Sequence, residues 1–165
     1  MISPTRSAPA SRGFTLMELL AALAIVALLA AIAIPNYSAY IARGKRAAAK
    51  SELLAIAARL ERNYTTNGCY NFTTVAECRA QAGTAPALPA TSPTEGRAHH
   101  AVTVDYSASA TGQAFTLSAT PCGAAGTCPT GSEAFTDADC GTLTLAHTGV
   151  RTSSGSASLE SCWRR

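Results

Sequence analysis

The chain has 165 residues, of which 14% are charged and 6% aromatic, and its formal net charge is +3 at pH 7. Two of the positive charges, Arg6 and Arg12, lie in a polar N-terminal stretch that we expect to be removed, which leaves the rest close to neutral. A near-neutral chain argues against a dedicated nucleic-acid surface. We also expect no cofactor and no metal, because the sequence has no phosphate-binding glycine loop and its histidines lack ligand spacing.

An uninterrupted apolar run follows this polar stretch. Every side chain from residue 19 to residue 34 is apolar, and Pro35 ends the run. As a helix, residues 14–34 extend roughly 31 Å at about 1.5 Å per residue, which is enough to cross a bilayer core. Glu18 lies at the start of this segment, where a charge costs about 2.5–3.5 kcal/mol to insert into lipid. Glu18 therefore requires a function or a partner.

Gly13, Phe14 and Glu18 form a specific pattern at the polar–apolar boundary: a glycine, then a phenylalanine, then a glutamate four residues after it. This pattern resembles the leader of type IV pilins and of the related pseudopilins. The resemblance implies that prepilin peptidase cuts after Gly13 and methylates the new amine of Phe14, so that residues 1–13 are a leader. The alternative is an ordinary secretory cleavage site at residues 31–33, Ala-Ile-Ala, which would remove the apolar helix.

The same resemblance implies a partner for Glu18 and a role for Pro35. Glu18 would pair with the terminal amine of Phe14 on an adjacent subunit, inside a helical filament of pilins. Pro35 would lie near the place where the helix unwinds locally on assembly. Before assembly, the protein would be held in the inner membrane by a single span with its C-terminus in the periplasm, and afterwards it would be part of a pilus at the cell surface.

Four basic residues after the span oppose that topology, because an excess of Lys and Arg favours the cytoplasmic side. They are Arg43, Lys45, Arg46 and Lys50. We give more weight to the six cysteines beyond the span, which belong in an oxidising compartment.

Beyond Pro35, apolar residues recur at three- and four-residue steps as far as Tyr64, which predicts an amphipathic helix. We expect one long helix over residues 14–64, with two helices broken at Pro35 as the alternative. Residues 65–165 predict a globular head with a helical turn near 75–79, an extended loop at 83–96, and strands near 102–107, 115–120, 142–146 and 150–153. The fold class is therefore α+β, a long helix packed on a roughly four-stranded antiparallel sheet with disulfide-bonded loops.

The pattern also places particular side chains. Leu53, Ile56, Leu60 and Tyr64 should face the sheet, and Leu143 and Leu145 should point inward from the third strand. We expect the histidines, His99, His100 and His147, to be surface residues at strand edges or turns. Asp137 and Asp139 faintly resemble a calcium-loop fragment but lack the other oxygen ligands, which favours an ordinary turn before Cys140.

The six cysteines are Cys69, Cys78, Cys122, Cys128, Cys140 and Cys162. No Cys-x-x-Cys pair is present, so disulfides are favoured over zinc. Six cysteines allow about 15 connectivities, which sequence alone does not resolve. Short loops around predicted turns favour Cys69 with Cys78 and Cys122 with Cys128.

The C-terminal part carries a second resemblance. The stretch Asp-Cys-Gly-Thr-Leu-Thr-Leu at residues 139–145, with Cys162-Trp163 near the end, looks like minor pilins of the PilE kind. In that subgroup a cysteine before the Leu-Thr-Leu strand bridges to one near the C-terminus, which implies a pairing of Cys140 with Cys162.

These patterns predict a structural minor subunit of a type IV pilus that takes part in pilus assembly, and so in twitching motility and adhesion. No catalytic set is recognisable, and no Gly-x-Ser-x-Gly elbow occurs, so we expect no enzyme activity. A major pilin and a type II secretion pseudopilin are the alternatives within the same class. A membrane-anchored or secreted binding domain is the alternative of a different class.

Overall fold

The computed structural model describes residues 13–123 and 128–164, without the side chain of Pro35. The predicted leader, apart from Gly13, and the middle of the loop between Cys122 and Cys128 lie outside the described residues. The chain divides into two compact units, one that ends at Tyr40 and one that begins at Ile41.

A single helix, α1, covers Leu16–Asn67, as the sequence predicts, and the alternative with a break at Pro35 is not observed. Its first part contains an 18-residue window with a mean hydropathy of 2.7, none of which is buried within the chain. The helix is therefore long and apolar enough to cross a membrane. Length and composition alone are equally typical of a signal segment near an N-terminus.

The core of the second unit lies between α1 and the sheet. Ala49, Leu53, Ile56 and Leu60 recur at helical spacing along one face of α1 and are at most 2% exposed. On the sheet side, Leu117 and Ala119 alternate with partly buried residues along one strand, and Leu143 and Leu145 do so along the next, as predicted for that pair. Val102 and Phe115 are buried in the same core. The predicted packing of the helix on the sheet is confirmed.

The sheet has five antiparallel strands that are neighbours in chain order: β1 Thr91–Ser92, β2 His100–Asp105, β3 Thr116–Pro121, β4 Leu143–Ala146 and β5 Arg151–Ser153. Four of them match the predicted strands. The prediction of about four strands missed β1, which lies in the segment expected to be an extended loop. β1 has only two residues, pairs with His100 and Ala101, and lies at the sheet edge, so it leaves no alternating pattern in the sequence.

Two short helices complete the head. α2 spans Val75–Ala80, where a helical turn was predicted, and the side chain of Thr74 accepts a hydrogen bond from the Glu77 amide as its N-cap. α3 spans Leu159–Trp163 and was not predicted, because its segment is short and rich in small polar residues. Ser158 caps α3 by the same kind of bond.

The expectation that all three histidines lie at the surface is wrong for two of them. His100 is fully buried and His99 is 7% exposed, whereas His147 is exposed. The prediction failed because β2 begins at His100, two residues earlier than the alternating pattern indicated. The two rings contact each other and the ring of Phe135, from the loop before β4.

Candidate functional site

The first candidate site is the N-terminus of α1. The amide and the hydroxyl of Thr15 both donate to the Glu18 carboxylate at 2.9 Å, and the Glu18 amide donates back to the Thr15 hydroxyl at 3.2 Å. This reciprocal arrangement is a capping box, which satisfies amides that a helix start leaves without partners. This role of Glu18 was not predicted, although Thr-x-x-Glu before an apolar run is the known signal of a capping box.

Gly13 and Phe14 precede the first helical residue, so the bond between them lies outside α1. Phe14 is 88% exposed, and Glu18 is exposed in the single chain. The large apolar side chains that follow are also mostly uncovered, from Leu16 at 75% to Ile34 at 68%. A contiguous apolar surface of this extent requires a lipid or protein neighbour.

The second site joins α1 to the loop before β4. Arg46 donates from Nε to Asp137 Oδ2 at 2.5 Å and from Nη2 to Asp137 Oδ1 at 2.6 Å, with a further contact to Asp139 at 3.2 Å. The Asp137 side chain is 1% exposed. Burial alone would raise the pKa of Asp137, but hydrogen bonds from Arg46 and from the Cys140 amide lower it overall. The turn expected at Asp137 is therefore present, and Asp137 is also a buried partner of a helix residue.

Lys45 makes a neighbouring connection. Its ammonium lies 2.6 Å from the Glu133 carboxylate and 4.7 Å from the centre of the Phe135 ring. The same ring covers His100, whose pKa is lowered to about 4 by burial and by the nearby His99 and Lys45, against the opposing charge of Asp137. Among residues 13–123 and 128–164, no group of three or more His, Cys, Asp or Glu residues is placed to hold a metal ion.

Three disulfides fix the loops of the head. They join Cys69 to Cys78, Cys122 to Cys128 and Cys140 to Cys162, which is the pairing preferred in the sequence analysis. Cys140 and Cys162 are fully buried in the core. Their bridge attaches α3 to the start of β4.

A groove of about 830 Å³ lies between α1 and the C-terminal elements β5 and α3. We call it the basic groove. The residues that line it include Arg43, Ala47, Lys50, Leu54, Arg151 and Trp163. The guanidinium of Arg151 lies 5.2 Å from the centre of the Trp163 ring, and the indole N–H of Trp163 donates to the Thr152 carbonyl at 3.0 Å. From the sequence, the basic residues of α1 were interpreted only as a signal of membrane topology.

A family model described as "Type IV minor pilin ComP, DNA uptake sequence receptor" matches residues 35–144, and a prokaryotic N-terminal methylation motif matches residues 9–34. The chain belongs to the type IV pilin family. The second match includes Gly13, Phe14 and Glu18, on which the resemblance was based.

Several curated pilins are similar to part of this pilin. It is 50% identical to the type IV major pilin protein PilA of Myxococcus xanthus over 52 residues. These residues are 32% of this chain and 24% of that protein. It is 47% identical to a fimbrial protein of Moraxella nonliquefaciens over 58 residues, which are 35% of this chain. It is 51% identical to a fimbrial protein of Pseudomonas aeruginosa over 47 residues, which are 28% of this chain. The chain spans 24% to 35% of the length of these relatives.

Among solved structures, a type IV pilin from Shewanella oneidensis is similar to this chain. The matched region covers 66% of this chain and 88% of that pilin. The identity is 26% and the TM-score is 0.38.

Proposed function

We propose that this pilin is a structural, non-enzymatic subunit of a type IV pilus. The observation that carries the proposal is the exposed apolar first part of α1, which coincides with the methylation-motif match at residues 9–34. Such a surface is stable either in lipid or against other apolar helices. The single span would hold the protein in the inner membrane, with its head in the periplasm, until the helix moves into the filament.

Processing at Gly13 is the first test of this proposal. We propose that prepilin peptidase cleaves between Gly13 and Phe14 and that Phe14 becomes N-methylated. Gly13→Val should leave an uncleaved precursor in the inner membrane. The mature wild-type protein should begin at a methylated Phe14, and a mature terminus at Ile34 would instead mean that the helix is removed as a signal segment, which excludes a pilin role.

We further propose that the subunit is a minor one, which helps to start or cap assembly and so affects twitching motility and adhesion. The match of residues 35–144 to a minor-pilin family supports this assignment, together with the C-terminal motif that ends in Cys162-Trp163. The curated relatives include a major pilin, so abundance must decide. Deletion should reduce surface pili and twitching, while quantitative mass spectrometry of sheared filaments should find the protein scarce. A dominant share in the filaments would establish a major pilin.

DNA binding is a second candidate function. The family model that matches residues 35–144 is described as a DNA uptake sequence receptor, whereas the near-neutral composition predicted no nucleic-acid site. Titration of the full-length protein in neutral micelles with a labelled duplex, at about 50 mM and 200 mM salt, tests it. Contact with several phosphates should weaken binding by a factor of about 10³ or more over that range. No binding at the lower salt concentration would exclude this function.

A further inference from the structure

The basic groove has an excess of positive charge that no carboxylate of the described residues neutralises. Arg46 and Arg164 also line the groove, but Arg46 is paired with Asp137, and Arg164 with Glu160. Within the described part of the chain, Arg43, Lys50 and Arg151 form no ion pair with a carboxylate. Three cationic side chains therefore line one concavity without a carboxylate partner among residues 13–123 and 128–164.

Lys50 lies close enough to Arg46 and Arg151 for their positive charges to oppose its own. The pKa of its ammonium is lowered by burial and by the charges of Arg46 and Arg151. Its one described hydrogen bond is to the backbone carbonyl of Arg164, at 2.8 Å. An incoming carboxylate would relieve this repulsion and would gain charge-assisted hydrogen bonds from several donors.

The groove is also lined by apolar side chains, and one of its walls is fixed in place. Leu54 is 46% exposed, Ala47 is exposed, and the Trp163 ring is half-buried. The disulfide between Cys140 and Cys162 ties α3 to the core, so the wall that carries Trp163 is held covalently. An apolar floor between cationic groups is complementary to a segment that has both apolar and acidic side chains.

This shape distinguishes a peptide from duplex DNA. A protein that reads a duplex usually inserts a protruding helix or strand pair into the DNA groove. Here the concavity belongs to the protein, and about 830 Å³ accommodates a few side chains but not a duplex. Arg151, Trp163 and Arg164 also lie beyond residue 144, outside the part that matches the DNA-receptor family.

We propose that the basic groove binds an acidic segment with apolar side chains that belongs to a neighbouring pilin subunit. The proposal rests on the proposed function as a pilus subunit, which supplies the neighbour. Carboxylates of that segment contact Arg43, Lys50 and Arg151, and its apolar side chains cover Leu54 and Trp163. The groove thus selects which pilin lies beside this subunit, because a neighbour without the acidic residues would cover these cations and leave them unpaired.

A charge-reversal variant of the full-length protein tests the proposal in piliated cells that lack the native copy. Arg43→Glu with Lys50→Glu should lower the share of the protein in sheared filaments, relative to the membrane, at least fivefold. Arg59→Glu with Arg62→Glu is the matched control, because it makes the same charge change at two exposed positions of α1 outside the groove, and its share should stay within twofold. An unchanged share for the groove variant, with both variants oxidised and membrane-inserted, would overturn the proposal.

A photo-crosslinking residue identifies the occupant. Placed at Ala47 on the groove floor, it should give a crosslink that maps by mass spectrometry to an Asp- or Glu-containing peptide of a pilin, whereas the exposed control position Ala58 should not give that product. No crosslink, or one to a peptide without acidic residues, would contradict the proposal. If the wild-type chain does not enter filaments, the pilus-subunit function fails, and the Ala47 crosslink in the membrane decides the groove separately.

A single-stranded oligonucleotide is the competing occupant, since an exposed aromatic ring beside arginines also suits base stacking. A fluorescent 12-nucleotide probe should bind equally to the wild-type protein and to the Arg43→Glu, Lys50→Glu variant in micelles. A more than tenfold weaker affinity of the variant, with an unchanged filament share, would assign the groove to nucleic acid and overturn the proposal.

Discussion

Arg46 and Asp137 are 91 residues apart in sequence, yet they form a two-point ion pair between α1 and the loop before β4. The Asp137 side chain is 1% exposed and that of Arg46 is 12% exposed, so the pair lies largely out of solvent. The pKa of Arg46 is raised, mainly by the hydrogen bond to Asp137 and against the effect of burial. The second unit is thus held together by an ionic contact as well as by its apolar core.

Replacing Asp137 by Asn should leave the Arg46 charge without its main partner. Removal of one partner of a buried pair typically costs about 3–5 kcal/mol, and the remaining contact to Asp139 places our expectation at the lower end. Asp139→Asn is the control, because its side chain is 71% exposed, and it should lose less than about 1 kcal/mol. Urea unfolding of the full-length protein in micelles measures both free energies. Equal stability of the two variants would mean that Asp137 is not a structural partner of Arg46.

The neutral His100 ring should make the head sensitive to mild acid. Its pKa is about 4 in the folded protein and about 6.5 in an unfolded chain, so the unfolded state binds the proton first. The free energy of unfolding is therefore not reduced by this titration above about pH 6.5, and it falls as the pH decreases from there toward 4. Between pH 7.5 and pH 5, we expect a loss of about 2 kcal/mol in the free energy of unfolding.

Two variants isolate that effect. His100→Gln should flatten the dependence of stability on pH between 7.5 and 5, whatever its effect on absolute stability. His147→Gln removes an exposed imidazole and should leave the slope unchanged. A slope that persists in His100→Gln would assign the acid sensitivity to other groups.

The sequence predicted those parts of the fold that depend on periodic apolar residues. The helix spacing of Leu53, Ile56 and Leu60 and the alternation around Leu117 were sufficient, because both patterns reflect burial on one face. β1 and α3 were missed because each is too short to repeat a pattern. Their positions depend on tertiary contacts, namely the pairing of Ser92 with His100 and the bridge from Cys162 to Cys140.

The candidate sites also differ in how far they could be predicted from local sequence patterns. Gly13, Phe14 and Glu18 are adjacent in sequence, so a local pattern was sufficient to find them. The contact of Arg46 with Asp137, and the basic groove between residues of α1 and β5, bring together residues from distant parts of the chain. No local pattern records such a pairing, and the two charged stretches were therefore interpreted separately.

Glu18 has an observed role in the capping box and a proposed role in pairing with a neighbour, and one substitution separates the two. Gln at this position keeps the hydrogen-bonding shape of the capping box but removes the charge. If Glu18 pairs with the amine of Phe14 on a neighbour, Glu18→Gln should be cleaved normally and should still fail to enter filaments. Glu18→Ala should behave in the same way in both respects. Thr15→Val is the complementary control, because it removes the hydroxyl of the cap and keeps the carboxylate. Normal incorporation of Glu18→Gln would exclude the ion pair, and a failure of Thr15→Val to incorporate would then show that assembly requires the capping box.

The three disulfides should differ in their contribution to stability. In the chain-entropy estimate a longer loop gives more stabilisation, so the bridge over 22 residues from Cys140 to Cys162 contributes about 3 kcal/mol and the bridge over 6 residues from Cys122 to Cys128 about 2 kcal/mol. Replacing Cys140 and Cys162 by alanine also leaves space in the core, because both are fully buried, which increases the loss. Trp163, the one tryptophan of the sequence, adjoins Cys162 and reports the release of α3 by fluorescence. We expect a red shift of that emission in the Cys140→Ala, Cys162→Ala variant and none in Cys122→Ala, Cys128→Ala. Equal losses of stability with unchanged fluorescence in both would mean that packing alone holds α3 in place.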